Sequence, residues 1–221
     1  MLKINQLIGF GAGGEALVFA YVTHLEDTSG LATVTFTAAD LGAAAGDRDI
    51  IIAVGASKAA TTWSADPITS VTIGGVTAVI AGSQVLTQTL TGGVAAIYRA
   101  RVPTGATGDV VIALAATTAE VAIVIWRATG LNNVTPTATT NDNTSPLTQS
   151  LTIDTGGFAV GFLINNGSTQ AASWTNLTER SDVAHGPGSY SGADTSTAGS
   201  PSITATPAAG TLVAMVLAAW R

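Results

Sequence analysis

Two histidines, fourteen carboxylates and no cysteine bound the chemistry this chain can carry. Without Cys there are no disulfides, thiolate zinc sites, iron–sulfur clusters or Cys nucleophiles. His24 stands beside Glu26 and Asp27 at the end of the first expected strand, where a surface position accounts for it. Asp182, His185 and Ser189 are the residue types of a nucleophile triad. No G-x-S-x-G elbow accompanies them, because Gly188-Ser189-Tyr190-Ser191-Gly192 has Tyr at its centre. Gly9, Gly11 and Gly14 satisfy G-x-G-x-x-G, but a dinucleotide site needs a strand before that motif and a helix after it. The β-prone Val18, Tyr21, Val22 and Thr23 follow instead. Asn141-Asp142-Asn143 offers oxygen ligands without EF-hand spacing. In Asp47-Arg48-Asp49 the central Arg offsets part of the carboxylate charge. Glu120 interrupts an apolar stretch and reads as a strand start. The expectation is no catalytic residue, no cofactor and no metal.

Aromatic rings supply a different chemistry, stacking on sugars. Trp126 and Trp220 lie in apolar runs and read as core or interface. Trp63 and Trp174 lie near polar loops, and Trp174 is the candidate glycan contact.

Any such residue must be positioned by β-strands. Ala32-Thr33-Val34-Thr35-Phe36-Thr37 alternates apolar and polar, the period of a half-buried strand. Residues 16–23 and 94–102 read the same way. Ile73-Gly74-Gly75-Val76 is a hairpin signal, because primed turns need positive φ. Other runs are apolar throughout: 50–54, 110–114, 121–126, 158–164 and 212–217. Such strands are buried on both faces or lie at a subunit contact. Turn residues recur at short spacing and predict ten to twelve strands. Residues 38–46 hold the one weak helical signal, and 132–145, 165–172 and 184–201 read as polar loops. The predicted fold is all-β, an antiparallel β-sandwich of jelly-roll type. Residues 1–14 form an N-terminal arm and 15–221 a single sandwich domain.

Charge narrows the partners. Charged residues are 10% of the chain, against about 25% in a typical domain. A net charge of −6 argues against nucleic acid, which requires a basic face. The best membrane candidate, 110–126, is broken by Glu120, and the N-terminus makes a poor secretory signal. A surface this poor in charge fits coverage by other subunits, since interface centres are depleted in charge.

Several segments resemble a group of structural proteins from tailed-phage and prophage morphogenesis regions. They are Asp47-Arg48-Asp49 leading into 50–54, Ser70 to Ala78, Val102 to Val110, Trp126 to Leu131, and Ala214 to Arg221. The resemblance spans about 45–221. It implies a non-enzymatic virion component assembled in the host cytoplasm, whose partners are itself and the major capsid or other virion proteins. One expectation is a capsid decoration or cement protein, with Leu7, Ile8 and Phe10 of the arm as apolar assembly contacts on a neighbour's sheet edge. The alternative is a tail or head-fibre protein that binds a host glycan.

Overall fold

The computed structural model describes residues 17–59, 63–86, 91–118, 120–166, 171–185, 188–208 and 212–221. These form seventeen β-strands, all paired antiparallel, and no helix.

Nine strands come from the first half of the chain: β1 (Val18–Asp27), β2 (Thr33–Asp40), β3 (Asp49–Ala59), β4 (Ile68–Ile73), β5 (Val76–Thr77), β6 (Val79–Val85), β7 (Thr91–Arg101), β8 (Thr107–Leu114) and β9 (Glu120–Thr129). Eight come from the second: β10 (Ala138–Asp142), β11 (Leu147–Ser150), β12 (Phe158–Asn165), β13 (Ala172–Thr175), β14 (Thr178–His185), β15 (Gly188–Thr195), β16 (Ser202–Pro207) and β17 (Val213–Trp220).

The strands build four sheets. The first half gives an outer sheet, β2-β8-β4-β5, and an inner sheet, β1-β9-β3-β7-β6. The second half gives an inner sheet, β10-β17-β12-β15-β14, and an outer sheet, β11-β16-β13. With β5 set aside, the two halves have the same strand order. Each half is a β-sandwich in which the first strand pairs with the last, the second with the second-last, and the third with the sixth. A regular eight-strand jelly roll would also pair the fourth strand with the fifth. Here β6 and β14 pair with β7 and β15 instead.

The two sandwiches stack through their inner sheets, so the molecule has four layers and three interiors. Ile50, Ile52 and Val54 of β3 pack toward the first outer sheet, with Val34, Phe36, Val71, Val110 and Ile112. Ile51 and Ala53 face the opposite way, toward Phe158, Phe162, Tyr190, Val216 and Trp220 of the second inner sheet. Ala159, Leu163, Met215 and Leu217 then fill the third interior against Leu147, Ile203 and Ala205. Both faces of the central inner strands are therefore buried. This explains the apolar runs 50–54, 121–126, 158–164 and 212–217 in an antiparallel protein. The run 110–114 differs: it lies in β8 of the first outer sheet and alternates buried with half-buried residues.

The Gly74-Gly75 hairpin forms as expected, with φ of 57° and 80° joining β4 to β5. Other expectations need correction. β7 is a central strand buried on both faces, not half-buried. Residues 38–46 contain no helix; β2 runs on to Asp40. Ala38 has φ 50°, and its N–H is held by Asp109 Oδ1 at 2.8 Å. Two of the three expected polar loops contain strands. β10 lies within 132–145, and β15 lies within 184–201. β15 is a central strand, and its Gly192, like Gly55 on β3, lets the inner sheets approach closely. A Cβ at Gly192 would lie 2.9 Å from Val124, and one at Gly55 would lie 2.3 Å from the Tyr190 ring.

Candidate functional site

The carboxylates are mostly spent on holding backbone. Asp27, Asp40, Asp66 and Asp142 each accept an N–H from two residues ahead, closing their own turns. Asp142 also accepts from Thr148 N–H and Gln149 Nε2. Asn141 Nδ2 donates to Ser83 O, so the Asn141-Asp142-Asn143 segment is tied into the fold. Among the described residues no group of three His, Asp or Glu could hold a metal ion.

Asp47-Arg48-Asp49 is a structural clasp. Asp47 Oδ2 accepts Gly130 N–H. Arg48 is fully buried and donates to five carbonyls, those of Leu41, Gly42, Val102, Thr104 and Gly105. Its burial and the nearby Arg127 push its pKa below the ordinary value. Asp49, also fully buried, pairs with Arg99 and Arg101 at 2.5 and 2.9 Å. The positive charge on Asp49 thus comes across the sheet from β7, not from its neighbour Arg48.

The triad residue types lie along one hairpin. Asp182 pairs opposite Ser191, and Ser189 opposite Ala184. Asp182 Oδ2 accepts Ala172 N–H, and burial raises the pKa of its carboxyl. Ser189 is buried. Glu120 opens β9 as expected, but it is 2% exposed and stands opposite Ser57. The Tyr190 phenol is buried, and burial pushes its pKa far up.

Trp63, Trp126 and Trp220 are buried. Trp174 is half-buried on β13. Its ring packs against the third interior, and its Nε1 donates to Ser191 Oγ at 2.8 Å.

Two surface features remain. The first is a polar groove at one end of the second sandwich. It consists of two adjoining hollows of about 590 and 580 Å³ that share Thr178, Thr195 and Thr197. Its floor holds Phe19, stacked 3.9 Å from Phe158. Its wall holds Arg180, which makes a two-pronged contact with Asp194 at 2.8 and 2.9 Å. Asp194 is 2% exposed and also accepts Trp126 Nε1 at 2.8 Å. A bidentate Arg–carboxylate contact with the acid anchored from below fixes the guanidinium at the groove wall.

The second feature is the outer edge of β6. Val79 is 67% exposed, Ile80 47%, and Val134 of the adjoining loop 66%. Together with Ala81, Arg99, Pro136 and Trp220 they surround a notch of about 70 Å³. Residues 76–86 contain no charge. The charge-free run was visible in the sequence, but its place on a sheet edge was not. Arg180 and Asp194 carry no motif that could have singled them out. The expected arm contacts Leu7, Ile8 and Phe10, like Gly9, Gly11 and Gly14, lie outside the described residues. No protein-family model matches the chain, and no curated protein matches it.

Proposed function

We propose that this chain is a non-enzymatic structural protein of a tailed-phage particle, a decoration or cement protein that oligomerises and stabilises the head. The observation that carries this reading is how the chain uses its charge. Arg48, Arg99, Arg101, Arg127 and Arg180 are all engaged with carbonyls or carboxylates of the chain itself. The uncharged, apolar β6 edge is left facing outward. Monomeric proteins usually blunt such edges with charge or proline. An assembling protein has a use for one. The segments of phage-structural resemblance support the particle context. Quantitative mass spectrometry of purified particles tests this. Hundreds of copies, on the scale of the major capsid protein, are expected. Absence from the particle overturns the reading.

The groove favours a second reading, attachment to a host glycan. Its wall of hydroxyls with one fixed guanidinium, above an aromatic floor, suits a neutral or acidic saccharide. Under that reading Arg180→Ala abolishes cell or glycan binding. Trp174→Ala also reduces it if that ring takes part. Unchanged binding by both variants removes the glycan reading.

A further inference from the structure

The two inner sheets have four edges, formed by β1, β6, β10 and β14. Three carry charge: β1 has His24, Glu26 and Asp27 near its end, β10 has Asp142, and β14 has Glu179, Arg180 and Asp182. Charged residues on an edge discourage another strand from adding. β6 carries no charge and exposes Val79 and Ile80; its open part is 79–82, because Ser83 O already accepts Asn141 Nδ2. Beside it, the Val134–Pro136 loop closes one side of a notch with room for an apolar side chain.

We infer that the β6 edge is the acceptor for residues 1–14 of a neighbouring copy of this chain, which add as a strand and seat an apolar side chain in the notch. This rests on the assembly reading above and names the contact. The segment fits the acceptor in composition. It carries Leu2, Ile4, Leu7, Ile8 and Phe10, with Lys3 as its only charged side chain. Its approach to residues 15–221, where 14 acidic side chains outnumber 7 basic ones, is therefore not opposed by like charge.

Residues 1–16 lead into β1, one edge of the first inner sheet, and β6 is the opposite edge. Four strand spacings separate them, roughly 19 Å. A reciprocal exchange closes a twofold pair, and a one-way exchange closes into a ring or runs on as a filament.

The lack of Cys makes the test direct. Full chains bearing Phe10→Cys are mixed with full chains bearing Val79→Cys, or with chains bearing Leu31→Cys, another exposed apolar position, as control. Exchange with oxidised glutathione is followed by mass, alongside light scattering of the unsubstituted chain. The expected result is a mixed disulfide with Val79→Cys forming at least ~10-fold faster than with Leu31→Cys. A multimer with no preference over the control overturns the acceptor but leaves the assembly reading standing. A doubly substituted chain that closes its own disulfide at low concentration, with no bond between copies, overturns exchange between copies. A monomer at every concentration overturns both readings.

Discussion

Arg48 shows how a single residue holds this fold. Its guanidinium gathers carbonyls from two loops, 41–42 and 102–105, that no β-ladder joins directly. Five N–H donors in a fixed fork match five acceptors. Removing them strands several buried carbonyls, and each buried acceptor left without a partner costs about 1–3 kcal/mol. Arg48→Met is therefore expected to lower unfolding free energy by about 3–5 kcal/mol, read from denaturant curves. Arg48→Lys, with three donors on a point charge, should recover only part of that. An unchanged midpoint for Arg48→Met would show that water replaces the guanidinium. The same residue marks a limit of sequence reading. Asp47-Arg48-Asp49 was visible as a cluster, but its three members turn to three different sets of partners. Proximity along the chain did not indicate which.

Among the elements, legibility followed side-chain size. Strands with large apolar residues, such as β3, β9, β12 and β17, could be read directly from their runs, and the Gly74-Gly75 turn from its dipeptide. β15 could not, because Gly188-Ser189-Tyr190-Ser191-Gly192 has the composition of a loop. It is a central strand whose Tyr190 and Gly192 face the other inner sheet, the glycine where Val124 comes closest. Gly55 is the counterpart on β3, directly beneath Tyr190. Gly55→Ala should cost about 1–3 kcal/mol by overpacking. Gly46→Ala, with no atom near its added Cβ, should stay within about 0.5 kcal/mol. Equal effects in thermal melts would show that the sheets separate freely to admit a methyl group. The candidate surfaces were less legible still. The β6 edge and the groove depend on which strands end each sheet, and pairing order leaves no mark in local periodicity.

At the scale of the whole molecule, the repeated strand order is the main finding. The two sandwiches share strand order but no obvious sequence pattern, because each inner strand must satisfy a different neighbour on each face. Trp126, Phe158, Phe162, Tyr190 and Trp220 belong to the interior between them. Neither half can bury that surface alone. Calorimetric unfolding should be a single transition whose enthalpy matches its van't Hoff value. Chains cut at the 132–137 connection should fold only when both pieces are present. Two separate transitions, or halves that fold apart, would show that the shared interior contributes little.

The stack of Phe19, Phe158 and Trp220 has a further consequence. It brings the start of β1 and the end of β17 to one corner, with adjacent ring centroids 3.9 and 5.7 Å apart. Residues 17 and 221 could therefore be joined by a short linker and the chain reopened at the exposed Gly74-Gly75 turn without altering a layer. Such a circular permutant opens at a hairpin of the first outer sheet instead. Residues 1–16, attached at the new opening, would start from a different surface of the molecule, while the stacked sheets stayed as they are.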